Sequence, residues 1–269
     1  MNNIIMYCVT DKVLDYFQNI PYKFAGVGNN NFPQNYLLSN SLKNIYKKEK
    51  YYSELTFHYW LWKNKFKQIK KYKWLGFCQK RRFWIKKKSD FKKINSYNLH
   101  KNIIVTPPKE WTEYESVICN PIFVNKVKKM KFIKRGIRSL LNNPKIFFTK
   151  KHRTVKVHFD MHHGFGNLER AINVMDLSDR DEFRIFVNTS NSFNANNMFI
   201  TNPLIAEKYF NKLFPWLFRC EEIFDFKKLF GYDTTRLYAY LAERYLSFWF
   251  KKYTKFIEWP IITLDLKQD

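Results

Sequence analysis

The apolar run Trp74-Leu75-Gly76-Phe77-Cys78 leads directly into Gln79-Lys80-Arg81-Arg82. A buried strand ending this way would carry guanidinium groups at its carboxyl end. In open α/β sheets, ligands bind at that end. Arginine forks match phosphate oxygens, so Lys80, Arg81 and Arg82 are candidates for holding a phosphorylated ligand. Gly26-x-Gly28 follows another apolar run without completing a glycine-rich fingerprint, and Gly28 could border a nucleotide. Asn196-Asn197 could present amides to sugar hydroxyls, or simply form a turn. In His158-x-Asp160-x-His162-His163, strand alternation would put His158, Asp160 and His162 on one side. That is a two-histidine, one-carboxylate set suited to a metal, or else a polar strand end. Asp179-Arg180-Asp181 is a literal Asp-x-Asp, but Ser178 and Glu182 beside it also read as a helix start. Trp60, Trp62, Trp74 and Trp84 could stack on a base or sugar, or belong to the core.

The elements that must position these residues follow from apolar spacing. Ile4 to Val9 and Phe24 to Gly28 predict buried strands closed by turn residues. Glu54 to Lys65 predicts a helix with Leu55, Tyr59 and Trp62 on one face and Ser53 as its N-cap. Trp74 to Cys78 predicts the next strand and Lys86 to Lys93 a solvated charged segment. Asn102 to Val105 predicts a short strand stopped by Pro107-Pro108. Lys126 to Arg138, with Val127, Met130, Ile133 and Ile137 at helical spacing, predicts a basic amphipathic helix, weakened by Gly136. Further helices are predicted from Leu168 to Met175, from Ser178 with its own hydroxyl as cap, from Pro203 to Phe224, and from Tyr238 to Tyr253. Asn197 to Ile200 predicts a strand. Early strands alternating with helices indicate an α/β protein.

The chain of 269 residues carries a formal net charge of +25. Such a surface suits nucleic acid, anionic membrane or acidic substrates. Lysine greatly outnumbers arginine, and Asn, Ile, Phe and Tyr are abundant too, so A/T-rich codon usage is a competing source of the charge. Cys8, Cys78, Cys119 and Cys220 are widely spaced without a CxxC pair, which predicts reduced thiols. The first apolar run is too short for a signal peptide, and no run reaches bilayer-spanning length. These features predict a cytoplasmic protein able to touch anionic lipid at the inner face of the membrane.

Five blocks, in order, resemble the DUF4422 family, bacterial glycosyltransferase-like proteins found with capsular and exopolysaccharide genes. Glu54-Leu55-Thr56 with Tyr59-Trp60-Leu61-Trp62-Lys63-Asn64 is similar to the family pattern E-L-T-x-x-Y-W-x-W-K-N. Gly76-Phe77-Cys78-Gln79-Lys80-Arg81-Arg82-Phe83 is similar to G-x-C-H-Y-R-R-Y-F. His163 with Asn167-Leu168 resembles His-x-x-x-Asp-Leu. Asn197-Met198-Phe199-Ile200, followed by Tyr209 and Leu213 to Phe218, resembles the family's Asn-Met-Phe-Ile strand and helix. Tyr240-Leu241-Ala242-Glu243-Arg244 resembles its Tyr-Leu-x-Glu-Arg block. The chain departs from the pattern at Gln79-Lys80, where the family has His-Tyr, and at Asn167, where it has aspartate.

The resemblance implies one GT-A-like α/β/α domain over residues 1–269 with a mostly parallel sheet. Residues 110–156 would be its variable part, facing acceptor or membrane. It implies sugar transfer from a nucleotide-diphosphate donor, as in relatives associated with galactofuranose transfer from a UDP-linked donor. The acceptor would be a glycan or lipid-linked glycan in polysaccharide synthesis. Arg81 and Arg82, with Lys80, would neutralise the leaving diphosphate in place of a divalent ion such as Mn or Mg. Glu243 is the expected general base of an inverting reaction and Asp160 the second candidate. His163, Asn196, Asn197 and Arg244 are expected on the sugar or acceptor. Glu54 is expected at a helix start, in a supporting role. Two rival readings are a basic nucleic-acid-binding protein and a degenerate relative that binds sugar nucleotide without turnover.

Overall fold

The computed structural model describes residues 3–126 and 129–265, and Val127 of the predicted amphipathic helix lies outside them. The chain forms two compact units, one of residues 1–120, 196–210 and 250–269, the other of 121–195 and 211–249.

The first unit is built on a sheet. Its strands are β1 (Ile4–Thr10), β2 (Lys23–Gly26), β3 (Leu37–Leu38), β4 (Trp74–Gln79), β5 (Arg82–Trp84) and β6 (Ser116–Cys119). The second unit's β7 (Ile122–Phe123) and β8 (Ser192–Phe193) form a separate antiparallel pair. The first unit then adds β9 (Phe199–Thr201), β10 (Phe256–Trp259) and β11 (Ile261–Thr263). The main path runs β10-β6-β9-β4-β1-β2-β3, with β5 branching from β4 and β11 pairing with β5. Strands β3, β2, β1 and β4 are mutually parallel, as are β10 and β6, and β9 runs antiparallel between β6 and β4. The sheet is thus mixed but mostly parallel.

Every residue of β1 is buried, the continuous apolar pattern expected where both faces of a parallel strand are covered. Alternation then sorts the side chains. Met6, Cys8, Trp74 and Cys78 join a core with Trp84, Trp111 and Trp259. Tyr7 and Phe77 point the other way, toward Phe57 and His58 of the Leu55–Asn64 helix. Gly76 lets the neighbouring strands approach, because a Cβ there would collide with the Met6 sulfur and lie 2.9 Å from Ile200. Trp60, Trp74 and Trp84 are buried, so they pack in the core, while Trp62 is half-buried under the Lys63 ammonium. All four cysteines are buried free thiols.

Several local predictions give way to tertiary context. Ser53 does not cap the Leu55–Asn64 helix. It ends the preceding Glu49–Tyr52 helix at φ 53°, and Glu54 occupies the N-cap position. The strand predicted at Asn102–Val105 is a short helix, Leu99–Asn102, followed by a single bridge from Ile103 to Ile85. Its apolar residues fill the core without needing a ladder.

The second unit is mainly helical. Its helices include Lys129–Arg135, Ile137–Asn142, Val155–His163, Asn167–Asn173 and Leu177–Thr189. It also holds the later part of Pro203–Ile223 and the earlier part of Leu237–Tyr253. The single amphipathic helix predicted from Lys126 is two helices separated at Gly136. The Leu177–Thr189 helix has Asp176 at its N-cap, and the Ser178 hydroxyl instead meets the Lys212 ammonium at 3.1 Å. Trp216 Nε1 donates to the Ala171 carbonyl at 2.7 Å, tying two helices together inside this unit. No helix of the described residues is long and apolar enough to cross a membrane.

Candidate functional site

The carboxyl ends of β1, β2 and β4 lie side by side, because the parallel register pairs Thr10 with Gly26 and Val9 with Gln79. Two residues, Lys80 and Arg81, turn the chain from β4 into antiparallel β5, where Arg82 faces Gln79. The predicted basic cluster is therefore a tight hairpin turn at the carboxyl ends of these parallel strands. The Lys80 backbone N–H extends the ladder to the Val9 carbonyl at 3.1 Å. Its ammonium pairs with Asp11, the first residue beyond β1, and its carbonyl accepts from the Tyr16 hydroxyl. On the other side of the turn, the Arg81 carbonyl accepts from Leu264 N at 2.8 Å.

The side chains behind the turn form a relay. Arg82 Nη1 donates to Gln79 Oε1 at 2.6 Å, and Gln79 Nε2 donates to the Asn196 carbonyl at 3.2 Å. Asn197 Nδ2 donates to Glu54 Oε1 at 2.7 Å. Asn196 and Asn197 have φ values of 80° and 35°. Two consecutive left-handed non-glycine residues cost roughly 1 kcal/mol each, and asparagine is among the residues that best tolerate this region. Such strain persists where surrounding contacts over-determine it, and here Gln79 and Glu54 do so. Arg81 contrasts with Arg82: among the described residues, no side chain pairs with its guanidinium. Gly28, at φ 77°, gives its carbonyl to the Tyr46 hydroxyl at 2.8 Å, which anchors the loop after β2.

A second polar cluster lies wholly inside the helical unit. Arg244 is only 1% exposed. Its guanidinium donates to Glu243 Oε2 at 3.1 Å, to the Tyr240 carbonyl at 3.2 Å, and to His158 Nδ1 and His163 Nε2, each at 3.3 Å. An arginine can only donate, so both of these imidazole nitrogens are bare acceptors. The other nitrogen of His163, Nδ1, then donates to the Asp233 carbonyl at 2.8 Å. His163 is the neutral Nδ1–H tautomer, stacked on Tyr240 with ring centroids 3.8 Å apart. Burial, helped by the Arg244 charge, pushes its pKa down to about 2. Burial also lowers the Arg244 pKa to about 10, against the pull of Glu243, leaving the guanidinium charged at neutral pH.

The histidine–aspartate cluster is not the strand predicted for it. It lies on the Val155–His163 helix, where strand alternation gives way to a period of 3.6 residues. His158 and His162 fall on one face, and Asp160 points elsewhere. Asp160 Oδ2 binds Lys156 Nζ at 2.6 Å and Oδ1 accepts from Gly166 N at 3.2 Å. Burial raises its pKa against the pull of Lys156. Asp179 and Asp181 also diverge. Asp179 is buried and accepts from the Tyr245 hydroxyl at 2.7 Å, whereas the exposed Asp181 pairs with Arg184. Among the described residues, no three His, Cys, Asp or Glu side chains could hold a metal ion. At the sheet edge the carboxylates of Asp11 and Glu54 are engaged by Lys80 and Asn197.

Sequence reasoning gave Glu54 only a supporting role at a helix start and passed over Asp11 and Tyr16. The available signals were the strong block around Glu54 and the turn residues after Val9. Asn167 shows what its departure from aspartate does locally. Its Nδ2 donates to the His163 carbonyl at 2.9 Å, a bond that an ionised aspartate could not make.

The class defined by this geometry is an α/β protein with a basic turn at the ends of parallel strands. The chain belongs to the family described as "Domain of unknown function (DUF4422)", whose model matches residues 5–255. No curated protein matches it. Its fold is similar to a solved structure titled "WbbM bifunctional glycosytransferase apo structure", with a TM-score of 0.72 at 16% identity. The alignment covers 98% of this chain and 46% of that one, so the chain spans less than half the length of the protein it matches.

Proposed function

We propose that this protein is a glycosyltransferase using a nucleotide-diphosphate sugar. The observation that carries the reading is the Lys80-Arg81-Arg82 turn on the carboxyl edge of parallel strands, backed by the strained Asn196-Asn197 pair. Family membership and the fold of a protein titled a bifunctional glycosyltransferase support it. The family match over residues 5–255 runs through both units, which supports one functional domain across residues 1–269; in this reading 110–156 is its variable part.

In the proposed reaction an acceptor hydroxyl oxygen attacks the anomeric carbon. The bond from that carbon to the diphosphate oxygen breaks, and its electron pair leaves on the diphosphate. Arg81 and Arg82, with Lys80 released from or shared with Asp11, offset that developing charge where a divalent ion commonly would. Gly28 borders the nucleotide. The amides of Asn196 and Asn197 hold sugar hydroxyls, and Glu54 acts as a positioning residue by fixing Asn197. Glu243 takes the acceptor proton in an inverting transfer, with Asp160 as the alternative base. His163 contributes to acceptor recognition through Arg244, since both of its ring nitrogens are engaged. The finer proposals are a UDP-linked donor, galactofuranose as the sugar, and a glycan or lipid-linked acceptor in capsule or other surface polysaccharide synthesis. They also include a cytoplasmic location at the inner face of the membrane.

The test is a panel of nucleotide sugars, scored by nucleotide-diphosphate release with and without chelator. Chelator-resistant turnover that is lost in Arg81→Ala and Arg82→Ala supports the proposal. Turnover abolished by chelation would reject the arginine-for-metal model.

A further inference from the structure

Between Glu115 and Asp160 the sequence contains twelve lysines and arginines and not one aspartate or glutamate. In the middle of this segment lie the Lys129–Arg135 and Ile137–Asn142 helices and then the Lys145–Phe148 turn of helix. Five of the apolar side chains described there are turned outward, the wrong way for a helix that packs only on its own protein. Met130, Ile133, Ile137 and Leu141, spaced by three, four and four residues, form one stripe. They are 60%, 44%, 52% and 76% exposed. Phe148 is 77% exposed beyond them. Among the described side chains, Ser139 and Ile146 face inward, with Leu140 half-buried against the small Ile146–Met161 cluster. Lys134, Arg138, Lys145, Lys150 and Lys151 are exposed around the stripe. No carboxylate of the described residues pairs with any of them, and only Arg135 is engaged, with His162 and Asp233.

We propose that this face, residues 130–151, docks on an anionic lipid bilayer. The aliphatic stripe enters the acyl boundary and the surrounding ammonium and guanidinium groups meet the lipid phosphates. Charge complementarity selects the occupant. A face with no carboxylate over more than forty residues is held by negative headgroups, each nearby cation adding to the attraction. The aliphatic character of the stripe separates a bilayer from single-stranded nucleic acid, which is gripped by stacking on aromatic rings. The Lys65–Lys93 segment is basic as well but presents no comparable aliphatic stripe, so the lipid contact is assigned to the second unit alone. This surface does not depend on the transfer reaction: vesicle binding uses no sugar nucleotide, so either proposal can fail without the other.

The experiment is flotation of the full chain with phosphatidylcholine vesicles, with and without phosphatidylglycerol. Wild type is expected on the anionic vesicles and off the neutral ones. Ile137→Asp with Leu141→Asp, and separately Lys134→Glu with Arg138→Glu, should each weaken binding about tenfold or more. These positions are exposed, so unchanged thermal melting will verify folding. Wild type that ignores anionic vesicles overturns the proposal. So does an Ile137/Leu141 variant that binds them like wild type, because the attraction would then be charge alone. Tight, salt-sensitive binding to RNA in place of vesicles would assign the face to nucleic acid and likewise overturn it.

Discussion

Arg81 and Arg244 lie in family blocks, yet they meet opposite conditions. Arg81 sits half-exposed at a hairpin tip with no side-chain partner among the described residues. Arg244 is buried among two imidazoles, a carboxylate and a carbonyl, with its guanidinium 4.3 Å from the centroid of the Phe193 ring. The first guanidinium keeps its hydrogen-bonding capacity for something outside the protein. Most of the second's is spent within its own unit, where it orders His158, His163 and Glu243. Membership of a family block therefore does not by itself separate a solvent-facing arginine from a buried, bracing one. Desolvation and partner count do.

The largest expected effect is at the Arg81-Arg82 turn. Arg81→Ala or Arg82→Ala should lower kcat for nucleotide-diphosphate release about a hundredfold or more, as loss of a preorganised charge partner does elsewhere. Unfolding stability should change by less than about 0.5 kcal/mol for Arg81→Ala. If Arg81→Ala unfolds the protein, the contrast between the two arginines collapses.

Arg244→Leu should do the reverse. Removing one member of a buried charge pair costs roughly 3 kcal/mol, read as a lowered urea midpoint with an unchanged slope. A fully stable Arg244→Leu with altered acceptor KM would instead confine its role to acceptor contact. Glu243→Gln sharpens the point. If Glu243 is the base, transfer falls while donor binding, followed as a shift in Tm, is retained. If it only braces Arg244, stability falls as well.

The two units should share an acid sensitivity. Burial pushes His58 in the first unit down to about 3, and His163 in the second down to about 2. Both stay neutral in the folded protein while the unfolded chain takes up protons below the ordinary histidine pKa of about 6.5. The unfolded state then binds more protons, so stability is flat above that pH and falls below it. Each histidine contributes up to about 1.4 kcal/mol per pH unit until its folded pKa is reached. Urea titrations at stepped pH should give a shallower slope for His58→Leu. An unchanged slope would mean that His58 is not protected from protonation.

The smallest effect concerns strain. Asn196→Gly should stabilise the first unit by roughly 0.5 kcal/mol in chemical denaturation, since glycine adopts a φ of 80° without a Cβ penalty. Asn197→Gly removes the amide bonded to Glu54, so it should gain no stability and lose sugar affinity.

Much of the first unit was legible in advance. β1, β2, β4 and the Leu55–Asn64 helix carry strong local patterns, because buried parallel strands are continuous apolar runs. The arginine turn was legible for the same reason, as the polar end of such a run. Ser53, Asn102–Val105 and the histidine cluster were not, because each is short and polar or short and apolar, and local propensity there is weaker than packing. The His158–His163 segment reads as an alternating strand only while its neighbours are unknown. Its helix is capped by Thr154 and buries Val155, Phe159 and Met161.

The order of types along this chain by itself determined an α/β protein of the DUF4422 family with a basic turn after β4. Short-range periodicity and strand-end chemistry are properties of neighbouring residues. Only the tertiary structure decided that Asn197 meets Glu54 across 143 positions of sequence, that Lys80 is held by Asp11, and that Arg244 is buried while Arg81 is not. Those facts depend on which groups lose water when distant segments pack, and no window of sequence contains that information.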